Sequence, residues 1–153
     1  MKIDKEKAEI LLRKWQKTLR LEDYDIKLKL VDQAWRKSGD IKIDDSNQQV
    51  ILMLNNFNPT ILNYEEVIIH ELLHLRLWGM DQMIESLIDV LYGEDENDPK
   101  REVVYNEFMH KLESTTQNLT KAFVQLGAEN KELPFSYVEK QVIEELKKGK
   151  ENE

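Results

Sequence analysis

Two of the three histidines in the chain lie four residues apart in the segment EEVIIHELLHLRLWGM, with a glutamate between them. If this segment is helical, His70 and His74 project from one face, one turn apart. Their ring nitrogens can then reach one ion at roughly 2.0–2.1 Å. Glu71 points about 100° away from His70, so it can approach a water molecule beside the ion without being a ligand. Two metal ligands and a base are the parts that a metal-dependent hydrolase needs.

The competing interpretation of this segment is a buried helix whose histidines form hydrogen bonds with backbone groups. Burial of two histidines and a glutamate is costly unless they are paired or coordinate an ion, and the surrounding leucines and isoleucines offer no partners. We therefore predict that His70 and His74 are metal ligands and that Glu71 is a general base. Because the chain contains no cysteine, any metal site must be built from His, Asp or Glu.

The elements before this segment can be predicted from the spacing of apolar residues. Residues 4–20 are predicted to form an amphipathic helix that Asp4 caps. Apolar and polar residues alternate around Ile26 and again around Ile41, which predicts two half-buried strands. The stretch VILML is apolar on both faces, so it should be a strand that is central or covered on both sides.

The elements from Asn63 onward are predicted to be helical. The helix that carries the histidines should begin near Asn63 and end at Gly79, with a short helix over residues 81–92. Asp98 and Pro99 start a long helix, which should present Val104, Phe108, Leu112, Leu119 and Phe123 as one apolar stripe. A last helix opens at Ser136. Residues 1–148 are predicted to be one domain, and residues 149–153 a disordered tail.

The stretch EEVIIHELLHL resembles the active-site helix of zincin metallopeptidases. The order of elements resembles the small gluzincins often called minigluzincins, over residues from about 1 to 127. The resemblance implies an α+β zincin-like fold with a small twisted, mostly antiparallel sheet of three strands. It also implies one Zn²⁺ per chain and a peptide substrate in extended form along a sheet edge. The extended metzincin motif is absent, because the residues after His74 lack its third histidine and glycine.

Three residues on the long helix are candidates for the third ligand: Glu107, His110 and Glu113. Helical phase does not decide between the glutamates, which flank the predicted apolar stripe about equally. Lys111 follows Glu107 at the spacing of a surface ion pair, whereas only Lys121 is charged in the turns that follow Glu113. The helix after Glu113 also resembles the glutamate helix of small gluzincins, so we predict Glu113. His110 is an alternative ligand or transition-state contact. A histidine at this position can also be an ordinary surface residue without a role in the site.

Composition limits the classes of partner. The 153 residues carry a formal net charge of −8, which argues against free nucleic acid, because phosphate binding needs a basic surface. No apolar run approaches the roughly 20 residues that span a bilayer, and the N-terminal segment is charged throughout. We therefore expect a cytoplasmic protein with no membrane partner.

The predicted function is that of a zinc-dependent metallopeptidase. The alternative is a zinc-stabilised binding or regulatory module without proteolytic turnover. Glu71 favours the enzyme, since a purely structural zinc site needs no base at that position. The sequence does not predict the native substrate or the oligomeric state.

Overall fold

The chain folds as an α+β structure, and a computed structural model describes residues 2–151. The predicted α+β class is confirmed. The described elements are, in chain order, α1 (Lys5–Thr18), β1 (Asp25–Val31), β2 (Gly39–Asp44), β3 (Gln49–Asn55), α2 (Tyr64–Tyr92), α3 (Pro99–Gly127) and α4 (Ser136–Glu151).

Helix α1 forms where its amphipathic pattern predicts. The Asp4 side chain accepts a hydrogen bond from the backbone N–H of Lys7 and so caps the first turn. One face of the helix joins the hydrophobic core that the sheet and α2 share. The buried residues on that face include Ala8, Leu11, Leu12 and Trp15.

A buried carboxylate, Glu65 in the first turn of α2, connects three parts of the fold. The indole N–H of Trp15 donates to Glu65 Oε1 at 2.9 Å. The backbone N–H groups of Glu129 and Asn130 donate to Glu65 Oε2 at 3.0 and 3.1 Å. Because a buried carboxylate is tolerated only when it is hydrogen-bonded, these contacts hold α1, α2 and the chain after α3 in one arrangement.

The sheet has the strand order β1–β3–β2, so β3 is central, as predicted. Strand β3 is parallel to β1 and antiparallel to β2. The sheet is therefore mixed rather than mostly antiparallel. The reason is that residues 32–38 cross the end of β3 and carry the chain to the far edge. The Asn55 side chain stabilises this connecting segment. Its amide donates to the carbonyl oxygens of Trp35 and Lys37 at 3.1 and 2.8 Å.

The two faces of the sheet have different surroundings. Val50, Leu52 and Leu54 of β3 are buried in the core. Ile51, on the opposite face, is 46% exposed. The apolar pattern of β3 therefore reflects its central position, and only one face of the sheet is covered within the described residues.

Helix α2 is longer than predicted, because it continues through Gly79 to Tyr92 and absorbs the short helix expected over residues 81–92. A glycine inside a helix costs roughly 1 kcal/mol relative to alanine. Packing of the second half of α2 against α3 offsets that cost, and Ile88 is buried there. The chain leaves the helix at Gly93, whose φ of +81° suits glycine.

Helices α2 and α3 form an antiparallel pair over most of their length. Polar contacts at both ends show the same register. They join Asp89 to Arg101 at 2.8 Å, Glu85 to Tyr105 at 3.4 Å and Glu66 to Gln117 at 3.1 Å.

The buried face of α3 differs from the predicted stripe. Leu119 is 38% exposed, and the fully buried positions include Thr116, Thr120 and Val124. The two threonine hydroxyls donate to the carbonyls of Leu112 and Thr116, both at 2.7 Å. Each hydroxyl is thus satisfied within its own helix, so these threonines occupy core positions that a pattern of apolar residues does not indicate.

Helix α4 extends from the rest of the structure, and all of its side chains from Tyr137 to Lys150 are exposed. The tail predicted to be disordered from residue 149 is helical as far as Glu151. Residues 152 and 153 of that predicted tail lie outside the described residues. Among the described helices, none is both long enough and apolar enough to cross a membrane.

Gly39 allows β2 to approach α2 closely. A Cβ atom at this position would collide with Val67 and lie 3.4 Å from Glu71 Cγ. We expect Gly39→Ala to lower the free energy of unfolding by about 1–3 kcal/mol, as overpacking does, in urea denaturation. Gly79→Ala is the control, since a Cβ there meets nothing within 4 Å and should raise stability by up to about 1 kcal/mol. Equal effects of the two variants would contradict the close approach.

Candidate metal centre

His70, His74 and Glu113 form one compact group between α2 and α3. The two histidine Nε2 atoms lie 3.2 Å apart. His70 Nε2 lies 2.9 Å from Glu113 Oε1, and His74 Nε2 lies 3.2 Å from Glu113 Oε2. Among the described residues, this is the one group of His, Asp and Glu side chains with the spacing to hold a metal ion.

The spacing of the donor atoms fits a small divalent cation. Ligand atoms placed tetrahedrally at about 2.0–2.1 Å from Zn²⁺ lie roughly 3.3 Å from one another. The separations within the group are 2.9 to 3.2 Å. Two imidazoles and one carboxylate also form a donor set that suits zinc, with one coordination position left for water or substrate. The residues present therefore fit a metal ion.

The charges around the group favour positive charge at its centre. Burial by itself lowers the pKa of His70, but the hydrogen bond to Glu113 and the charges of Glu71 and Glu113 raise that pKa above its ordinary value. The hydrogen bonds from His70 and His74 hold the pKa of Glu113 far below that of an ordinary glutamate. A carboxylate kept ionised beside two imidazoles attracts a cation.

The second nitrogen of His70 has no partner among the described residues. Its Nδ1 atom is buried and makes no hydrogen bond with any described residue. Metal-binding histidines usually donate this N–H to a carbonyl or carboxylate, which orients the ring. Here the contact with Glu113 and the packing of α2 orient His70 instead.

Glu71 lies beside this group and outside it. It follows His70 on α2, so its side chain points to a different part of the helix surface, towards β2 near Gly39. Only 8% of Glu71 is exposed. Burial raises the pKa of its carboxyl group, and the nearby histidines partly oppose that increase. A buried carboxylate with a raised pKa beside a metal site has the properties of a general base.

A cavity of about 1400 Å³ opens in front of the group. The three candidate ligands and Glu71 all line it. Residues 39–43 of the edge strand β2 form one wall, and residues 133–135 with the first turn of α4 form another. The cavity therefore gives a large molecule access to all four side chains.

Glu107 and His110, the alternative ligands, lie outside the metal-binding group. Glu107 is exposed on α3. His110 is also exposed and lies at the wall of the cavity. Of the three candidates on α3, the structure brings only Glu113 to the two histidines, and the assignment of Glu113 as a ligand stays a prediction.

Two residues near the group are not indicated by the sequence analysis. Asp81 lines the cavity, and its Oδ1 atom is buried without a hydrogen-bond partner among the described residues. Its position seven residues after His74 places it on the same face of α2. The sequence analysis missed this shared face because it predicted that the helix ends at Gly79. Gln117 lies one turn after Glu113 and also lines the cavity. Its four-residue spacing from Glu113 could have indicated that position.

Comparison of the chain with protein-family models, with curated proteins and with solved structures found no match. The function must therefore be inferred from the residues and geometry of this site.

Alanine substitutions should separate the ligands from their neighbours. We expect His70→Ala, His74→Ala and Glu113→Ala each to weaken zinc binding by at least about 100-fold, because each removes one of three donors. Glu107→Ala and His110→Ala are matched controls on α3 and should bind zinc as the unmodified chain does. Zinc titration by calorimetry measures these affinities. Normal affinity of Glu113→Ala with a loss in Glu107→Ala would contradict the ligand set.

Removal of metal should destabilise the fold. Without a cation, two partly buried imidazoles and a carboxylate must share protons, so we expect a chelator to lower the melting temperature by several degrees. Differential scanning calorimetry with and without added Zn²⁺ measures the shift. The Glu113→Ala variant should show little response to either treatment. A melting temperature that neither chelator nor zinc changes would show that no ion binds at this site.

Proposed function

We propose that this protein is a zinc-dependent metallopeptidase. In this proposal His70, His74 and Glu113 hold the ion, and Glu71 is the general base. One observation carries the proposal: two imidazole nitrogens and both oxygens of a carboxylate meet at 2.9 to 3.2 Å. They do so in the wall of a cavity that Glu71 also lines.

The residues of the site have separate roles in the proposed reaction. A bound Zn²⁺ would supply Lewis-acid polarisation and lower the pKa of water in the site. The Glu71 carboxylate would accept a proton from the attacking water and later donate it to the leaving amine. The raised pKa of Glu71 supports this role, because a carboxylate whose pKa is raised towards neutrality is a stronger base and accepts the proton of water more readily.

The position of β2 supports a peptide as the substrate. This strand pairs with β3 on one side and lies at the edge of the sheet. Residues 39–43 of β2 line the cavity that contains the site. An edge strand offers unpaired backbone N–H and C=O groups, which an extended peptide can pair with as an added strand. We therefore propose a protein or peptide substrate held in extended form along β2.

The alternative function is a zinc-stabilised binding module. Structural zinc sites are closed by four protein ligands, whereas catalytic sites have three ligands and an open position. The group here contains three candidate ligands among the described residues, and a cavity lies in front of it. Both features favour the enzyme over the binding module.

Removal of the base tests the proposed mechanism. We expect Glu71→Gln to bind zinc normally and to lower peptide hydrolysis by about 10²–10⁴-fold, because glutamine has nearly the same shape but cannot accept the proton. A peptide library with mass-spectrometric detection measures hydrolysis without assuming a specificity.

Glu107→Gln makes the same chemical change on the exposed surface of α3, so it should retain full activity. Comparable turnover by Glu71→Gln and the unmodified chain would exclude Glu71 as the base. Zinc binding without turnover in any variant would support the binding module instead.

A further inference from the structure

The second half of α2 has an exposed apolar face. The side chains of this face are between 51% and 81% exposed, and at 100° per residue they fall on one side of the helix. Asp81, Glu85 and Asp89 all lie on the other side, so roughly half of the helix surface is free of charge. The face consists of Met80, Met83, Leu87, Val90 and Leu91, and their exposed fractions are 52%, 56%, 51%, 81% and 72%.

This exposed face continues a buried one. Leu87, Val90 and Leu91 lie about five turns after Ile69, Leu72 and Leu73. The earlier three residues are buried in the core. The same side of α2 is thus covered in its first half and uncovered in its second.

We propose that this face binds the same face of a second copy of the chain, with the two α2 helices antiparallel about a two-fold axis near residue 85. The five side chains leave on the order of 500 Å² of apolar surface per copy, at the upper end of what monomeric proteins expose. Two such faces together bury on the order of 1000 Å², the lower bound for a specific interface.

The face is complementary to itself in the antiparallel arrangement. A two-fold axis near residue 85 places Met80 opposite Val90 and Met83 opposite Leu87 of the other copy. Apolar side chains therefore meet apolar side chains in the central part of the contact, and Leu91 lies opposite Gly79 of the other copy.

The charges at the two ends of the face select a second copy in this orientation. Arg76 is exposed about one turn before Met80, on the same side of α2. The exposed acidic residues Glu94, Asp95 and Glu96 follow the other end. Antiparallel packing brings Arg76 of each copy to the acidic segment of the other, whereas parallel packing would place like charges together. The candidate metal centre lies on a different side of α2, so the dimer leaves its cavity open.

Sedimentation equilibrium of the full chain tests this proposal, and it does not depend on hydrolysis or on metal. We expect a mass of twice 18.2 kDa. Leu87→Glu places a charge in the centre of the contact and should raise the dimer dissociation constant by at least about 30-fold. Val142→Glu makes the same kind of change at another exposed apolar position, on α4, and should leave the dimer intact.

A wild-type chain that stays monomeric at about 100 μM, or a dimer that Leu87→Glu does not weaken, would overturn the proposal. Dissociation by Val142→Glu would assign the contact to α4 and would also overturn it. Arg76→Glu should weaken the dimer, and its combination with Glu94→Arg should restore it.

If Leu87→Glu fails to fold, disulfide cross-linking of single-cysteine variants tests the same contact. The chain has no native cysteine, so each variant carries one thiol. Ser86→Cys lies within one turn of the proposed axis and should form a disulfide-linked dimer under mild oxidation. Thr18→Cys, exposed at the end of α1, should not. Equal cross-linking at the two positions, or none at Ser86→Cys, would overturn the proposal.

Discussion

The antiparallel register of α2 and α3 is the constraint on which the rest of the structure depends. The two histidines come from α2 and the carboxylate from α3, so a shift of one turn, about 5.4 Å, would separate them. Polar pairs at both ends of the helices favour a single register. Thr116 and Thr120 contribute as well, because their small side chains are fully buried in this region and their hydroxyls need no partner outside α3.

The buried polar groups of the protein divide into two kinds. Glu65 accepts hydrogen bonds from the Trp15 indole and two backbone amides, so its charge is compensated within the fold. Among the described residues, the buried Nδ1 atom of His70 and the buried Oδ1 atom of Asp81 have no hydrogen-bond partner. Satisfied groups stabilise a fold, whereas buried groups without partners often mark sites where chemistry or binding occurs. His70 and Asp81 both line the same cavity, apart from the Glu65 network that holds the scaffold together.

Helix α2 combines three environments along one sequence. Its first half is enclosed by the core, its cavity side carries the candidate metal ligands, and its second half has one exposed apolar side. A rigid helix with a buried first half positions side chains more accurately than a loop does. The same continuity allows the apolar face that anchors α2 in the core to serve, five turns later, as a contact for a second copy.

Local sequence patterns determined the helix and strand types, the Asp4 and Asp98 caps, the central position of β3 and the His70–Glu71–His74 arrangement, because each depends on residues close together in the chain. They failed at Gly79, where packing against α3 outweighs a weak helix propensity. Helical phase also left Glu107 and Glu113 equivalent, since the predicted stripe on α3 included Leu119 and omitted the threonines, so Glu113 was predicted from neighbouring charges and a resemblance. Only the tertiary structure shows which of the two carboxylates lies beside the histidines. The buried face of α3 runs through Thr116, Thr120 and Val124, which turns Glu113 towards α2 and Glu107 towards solvent, and threonines identify a buried face only once a neighbouring helix covers them.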